Sequence, residues 1–250
     1  MRSERVAAPP ISKLLLNCFL VYIGWFLGRN FHALRVSRAG SAPSLQGLPA
    51  IVCMNHPGWW DPLIALTMAY RSYPDRLHYG PIEASSLTHY GFFEKLGFFG
   101  IETRSAKGAA RFLRVGEAIL DGPHAALWVT AQGTFVDPRV RPTAIRGGIG
   151  HLVHRLSAVA VVPLAIEFPF WDNRYSEALV RFGEPLIVRN GQEQTADHWT
   201  STIAEHLEAT QDALRSEALL RNRACFDSVL GEEGGFVGIY DFWRALKARL

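Results

Sequence analysis

An α/β fold, a largely parallel sheet flanked by helices, is what this sequence predicts. Short β-branched apolar runs recur along the chain, and stretches with helical spacing alternate with them. Glycine, proline and asparagine punctuate the boundaries between the two. The 250 residues suit one sizeable domain with a full core.

Taken in order, residues 14–27 are apolar apart from Asn17 and Gly24, with Arg2, Arg5 and Lys13 before them and Arg29, Arg35 and Arg38 after. The run is shorter than the about 20 residues that span a bilayer. No small-x-small cleavage site follows closely. Tyr22, Trp25, Phe26 and Phe31 supply aromatic side chains, and Tyr and Trp favour the membrane interface. The expectation is a retained helix lying in or dipping into one leaflet, with a buried core helix as the alternative. Residues 39–44 read as a linker. Residues 48–54 form a buried strand that Asn55-His56-Pro57-Gly58 ends as a turn, and a helix opens at Asp61-Pro62 and runs to about Tyr70.

Residues 77–79 are a short strand after a polar turn, and residues 92–100 are rich in glycine and aromatic side chains. Helical spacing returns at 109–120. Residues 125–130 read as a strand closing at Ala131-Gln132-Gly133-Thr134, followed by a helix over 147–156 and strands over 159–166 and 178–182. A long helix runs from Ala196 to about Asn222. Residues 239–250 are amphipathic with a basic face, suited either to a second membrane contact or to docking on the core. The expected organisation is therefore an N-terminal membrane-associated helix over 1–38, a main domain over 39–225 and a C-terminal amphipathic segment over 226–250.

A net charge of +3 lacks the electrostatic footprint of a nucleic-acid binder. The basic residues nevertheless cluster, at 104–114 and at Arg139, Arg141 and Arg146. Cys18, Cys53 and Cys225 are odd in number and form no CxxC pair, which argues against a disulfide framework or zinc site and fits a reducing compartment. At 48% hydrophobic and with a mean hydropathy of +0.05, the chain is greasy for a soluble enzyme.

The most informative local feature is His56 with Asp61 five positions on, across a strand-to-helix loop. The chain can fold the carboxylate back onto the imidazole there. A carboxylate on one ring nitrogen fixes the tautomer and raises the basicity of the other, which then serves as a general base. A capping aspartate beside a packed histidine would use the same residues without chemistry. There is no G-x-S-x-G elbow for a serine nucleophile and no H-E-x-x-H for zinc. His151 and His154, three apart on a helix, suit structural or solvent roles.

Four segments, in order, resemble the sequence blocks of the glycerolipid (PlsC-like, 1-acylglycerol-3-phosphate O-acyltransferase) acyltransferase family. Asn55-His56 through Asp61 matches its His-x4-Asp block, and 97–104, ending at Arg104, is similar to its second block. Gln132-Gly133-Thr134 sits where the family usually has Glu-Gly-Thr-Arg, and Val162-Pro163-Leu164 looks like the apolar-Pro block that closes the core. The resemblance covers roughly residues 45 to 190. It implies an acyltransferase domain in which His56 takes a proton from an acceptor hydroxyl and Asp61 orients the imidazole. Arg104, Gln132, Gly133 and Thr134 then hold a lysophospholipid or other lipid acceptor, and Arg146 is a possible additional anion-binding residue. The implied acyl donor is acyl-CoA or acyl-ACP, with no metal or other cofactor. Membrane lipids are the implied partners, and the implied location is the cytoplasmic face of a membrane, peripheral or monotopic.

The third block departs from the pattern. The usual glutamate is Gln132, and the arginine expected after Gly-Thr is Phe135. Losing that arginine removes one phosphate clamp, so the reaction class survives better than the acceptor. Oxyanion donors are expected from the Pro57-Gly58 turn or from Gly133-Thr134. Trp59 and Trp60 suit an acyl-chain tunnel, a membrane contact or the core. Two other readings stand beside transfer: a lipid-binding or scaffold protein with an altered site, and an acyl-thioester hydrolase that uses water.

Overall fold

The structure is a computed structural model that describes residues 7–231. The basic amphipathic stretch 239–250, like Arg2 and Arg5, lies outside the described residues. Helix α1 (Lys13–Asn30) begins at Ser12, whose hydroxyl accepts the Leu15 N–H, and buries Leu16, Ile23 and Leu27 on the core. Its opposite face leaves Leu14, Tyr22 and Trp25 exposed. The helix is thus docked along one face, and no helix among the described residues is long and apolar enough to cross a membrane.

The strands are β1 (Ala33–Ser37), β2 (Ala50–Met54), β3 (Leu77–Glu83), β4 (Phe98–Ile101), β5 (Ala125–Thr130), β6 (Val159–Glu167), β7 (Glu177–Phe182), β8 (Leu186–Val188) and β9 (Phe226–Gly231). They form one mixed, mostly parallel sheet in the order β4-β3-β5-β2-β6-β7-β1-β9, with β8 antiparallel to β6 beside this path. The run from β4 to β6 is parallel throughout, β7 turns antiparallel to β6, and β9 runs antiparallel to β1. Helices α2 (Asp61–Ser72), α3 (Ala84–His89), α4 (Ala106–Leu120), α5 (Gly148–Arg155) and α6 (Ala196–Leu219) complete the fold.

Alternation along β2 sorts its side chains onto two faces. Ala50, Val52 and Met54 join a core with α1 and α2, containing Ile23, Leu27, Ile64 and Met68. Ile51 and Cys53 join a second core with α4, α5 and α6, containing Phe112, Leu152, Ile203 and Leu207. Burial on both faces is what a central parallel strand requires.

Four strand assignments correct the sequence reading. Residues 33–37, expected as the flank of the N-terminal helix, are β1. Its Arg35 is buried and pairs with buried Glu177 of β7 at 2.9 Å, so a charge interrupts the apolar pattern of an interior strand. Residues 226–231, placed with the amphipathic segment, are β9 on the edge of the same sheet. Residues 186–188 form β8. The strand expected at 77–79 continues through Glu83: β3 pairs with β5 over Leu77–Tyr79 and with β4 over Gly80–Glu83. Beyond Tyr79 the ladder between β3 and β5 ceases, which leaves a fork in the sheet.

Candidate active site

The site is built at the carboxyl ends of β2 and β5, where open parallel sheets place their ligands. β2 ends at Met54, and the buried Asn55 continues its pairing with a side chain: Oδ1 accepts the Ile166 N–H at 2.8 Å and Nδ2 donates to the Ile166 carbonyl at 3.0 Å. This fixes where the chain leaves the sheet. Pro57 and Gly58 then turn it, so that Asp61, at the first turn of α2, returns beneath His56.

Asp61 is fully buried. Its Oδ2 accepts from His56 Nδ1 at 2.6 Å and from the Gly58 N–H at 3.0 Å. Its Oδ1 is buried without a hydrogen-bond partner among the described residues. Burial pushes the Asp61 carboxyl upward, and the bonds from His56 and Gly58 pull it back only in part. Because a carboxylate only accepts, the proton of the neutral imidazole sits on Nδ1 and Nε2 keeps its lone pair. That is the arrangement a general base needs.

Around the dyad lies a cavity of about 600 Å³ whose wall includes His56, Arg104, Gly133, Thr134 and Arg146. Much of its wall is apolar, with Ala65, Leu66 and Ala69 of α2, Leu96, Phe98 and Phe112. Residues 78–83 and 128–131 line it too, so it occupies the fork where β3 parts from β5. At its side, His78 Nε2 donates to the Tyr73 carbonyl at 2.9 Å and Nδ1 accepts from Trp128 Nε1 at 3.0 Å. Burial drives the His78 pKa down to about 4, so the ring is neutral and both its nitrogens are occupied.

The two expected arginines meet the same cavity. Arg104 has φ +61°, in the left-handed region, just before Ser105 caps α4. Arg146 lines the same wall, admitted by Gly133: that glycine has φ +65°, and a Cβ on it would fall 2.5 Å from Arg146 Nε. Neither guanidinium has a hydrogen-bond or ion-pair partner among the described residues, so both are available to an anion. Two neighbouring cations are already committed. Lys107 pairs with Glu102 at 3.0 Å and Arg111 donates to the Gly100 carbonyl at 2.7 Å.

Three sequence expectations change here. Gln132 is buried outside the cavity wall, and its Oε1 accepts the His56 backbone N–H at 2.8 Å. Pro57 has no N–H and the Gly58 N–H is given to Asp61, so that turn offers no oxyanion donor. The Gly133 N–H is given to the Thr130 carbonyl at 3.1 Å, which leaves the Thr134 N–H as the candidate backbone donor without a partner among the described residues. Trp59 is exposed, while Trp60 packs on Phe31 with ring centroids 5.0 Å apart; neither lines the cavity. His154 Nδ1 bonds the Gln194 carbonyl at 2.9 Å, a structural tie. Asn55 and the His78–Trp128 pair carried no signal of their role, since each acts through a partner distant in sequence.

Fold and site together define a mixed α/β protein with an imidazole–carboxylate dyad beside a mainly apolar cavity, whose wall also carries two arginines without a side-chain partner among the described residues. No protein-family model matches the chain, and no curated protein matches it either.

Proposed function

We propose that the protein is a membrane-associated O-acyltransferase that moves a fatty acyl group from acyl-CoA or acyl-ACP to a hydroxyl of a lysophospholipid or other lipid acceptor. The observation that carries this reading is the His56–Asp61 bond beside a mainly apolar cavity that His56 lines. His56 Nε2 takes the proton of the acceptor hydroxyl as its oxygen attacks the thioester carbonyl. Asp61 stabilises the imidazolium that results. The Thr134 N–H, left without a partner among the described residues, serves as donor to the developing oxyanion. Collapse of the tetrahedral intermediate breaks the C–S bond, and the departing thiolate recovers the proton from His56 Nε2. Arg104 and Arg146 bind an anionic group of either substrate in the ground state, so their loss raises KM before it lowers kcat. The apolar part of the wall accommodates an acyl chain.

Membrane attachment at a cytoplasmic face, peripheral or monotopic, belongs to the same proposal. Exposed Tyr22 and Trp25 on α1 are joined through Phe19 to Phe92 and through Phe26 to Trp59, making one aromatic surface. The Arg29 guanidinium lies 5.2 Å over the Trp25 ring. Aromatic rings with a flanking cation suit the headgroup region.

The test is thiol release from acyl-CoA and acyl-ACP by purified protein, with and without lysolipids in vesicles. Release that depends on the acceptor and is lost in His56→Ala supports transfer. Acceptor-independent release indicates a hydrolase, and no release with any pair indicates a lipid-binding scaffold.

A further inference from the structure

We propose that Gln132 is a positioning residue: it clamps the His56 backbone so that the imidazole meets Asp61, and it does not hold the acceptor. This deepens the reading of His56 as the base, and three observations carry it. First, Gln132 Oε1 lies 2.8 Å from the His56 backbone nitrogen and accepts its N–H. Second, the same loop reaches back, with the Val136 N–H donating to the His56 carbonyl at 3.0 Å. Both backbone groups of His56 are thereby held by residues 132–136, while Asn55 before it is locked to Ile166. Third, Gln132 is buried and absent from the cavity wall, whereas its neighbours Gly133 and Thr134 line that wall.

Only a carbonyl-type oxygen is needed for this task, because the group it meets is a donor. Glutamine supplies that oxygen without placing a second buried carboxylate near Asp61, whose own carboxyl burial already pushes upward. A glutamate would accept the same N–H. An alanine would leave the His56 amide unanswered and free the loop to shift, and misplacement of about 1 Å at a reacting group costs roughly 100-fold.

The experiment compares wild type with Gln132→Ala, Gln132→Glu and Gln132→Met; the last keeps the side-chain length without the acceptor oxygen, should the alanine variant not fold. Steady-state kinetics with acyl-CoA and a lysolipid acceptor give kcat and KM separately. Nitrogen-15 shifts of labelled histidine give the tautomer of His56 in the full-length protein without any turnover. The expected result is a kcat lower by roughly 10- to 100-fold in the alanine and methionine variants with acceptor KM nearly unchanged. A mixed His56 tautomer should accompany it, and glutamate should recover both. A raised acceptor KM at unchanged kcat would overturn the proposal in favour of acceptor binding. So would a wild-type tautomer in the methionine variant, or a glutamate variant as impaired as methionine. If wild type turns over no thioester and the tautomer still responds as stated, the clamp stands and the acyl-transfer reading falls.

Discussion

Phe135 stands edge-on to His56, their ring centroids 4.5 Å apart and their planes inclined by 62°. The aromatic ring is largely exposed, so it forms an uncharged rim beside the imidazole where the family that the motifs resemble carries a guanidinium. Arg104 and Arg146 are left as the cations of the cavity wall.

Phe135→Arg should therefore shift acceptor choice. A new charge-assisted bond contributes about 1.5–3 kcal/mol, or roughly 10- to 100-fold in kcat/KM. The ratio of kcat/KM for 1-acylglycerol 3-phosphate over a neutral lysolipid should rise by that order. An unchanged ratio means that position 135 does not select the acceptor.

Asp61→Asn is expected to lose activity and gain stability. Loss of the orienting carboxylate should lower kcat by about 10²–10⁴-fold. The sign of the stability effect follows from burial: an aspartate whose pKa is raised on folding binds its proton more tightly in the native state. That stability is fully present below the unfolded value of 3.8 and is lost as pH rises through the folded one, so at pH 7 the ionised group is a net cost. Thermal melts should favour the asparagine variant at pH 7, with the advantage shrinking near pH 3. A variant less stable than wild type at pH 7 would sink the argument.

His78 carries the opposite pH dependence. Its pKa falls from 6.5 to about 4 on folding, so its contribution is present above 6.5 and disappears as pH falls toward 4. The full shift corresponds to about 3 kcal/mol. Denaturant midpoints of wild type and His78→Asn should therefore differ in their pH response: wild type loses stability between pH 7 and 4.5, and the variant loses less. Parallel loss in both would assign the acid sensitivity elsewhere.

Trp25→Ser and Tyr22→Ser should each weaken sedimentation with anionic vesicles by roughly 10-fold, because each removes a large apolar group from the proposed contact surface. Both side chains are substantially exposed, so far-UV circular dichroism should not change. Full vesicle binding by the double variant would exclude α1 as the contact.

What the sequence made legible was local. The strands over 48–54, 125–130 and 159–166 announce themselves because both faces are apolar, and His56 and Asp61 announce a dyad because five residues and one turn suffice to join them. The rest depends on partners far along the chain. β1 is hidden by Arg35, which is tolerable inside the sheet only because Glu177, far away in sequence, lies beside it. β9 carries Phe226, Val229 and Leu230 without the alternation that marks a half-buried strand. Gln132 reads as a substrate contact from its place in a motif, and its hydrogen bond to a backbone amide 76 residues earlier carries no local signal. The cavity escapes any local pattern, since it arises from where β3 changes neighbours.

That change of neighbours has a mechanical consequence. Between β3 and β5 the rungs stop at Tyr79, while β4 goes on supporting β3 to Glu83. A guest that slides into the fork therefore severs no rung, and its departure leaves none dangling. Filling and emptying the cleft exchange side-chain contacts alone, and the backbone ladder on either arm has the same number of bonds before and after.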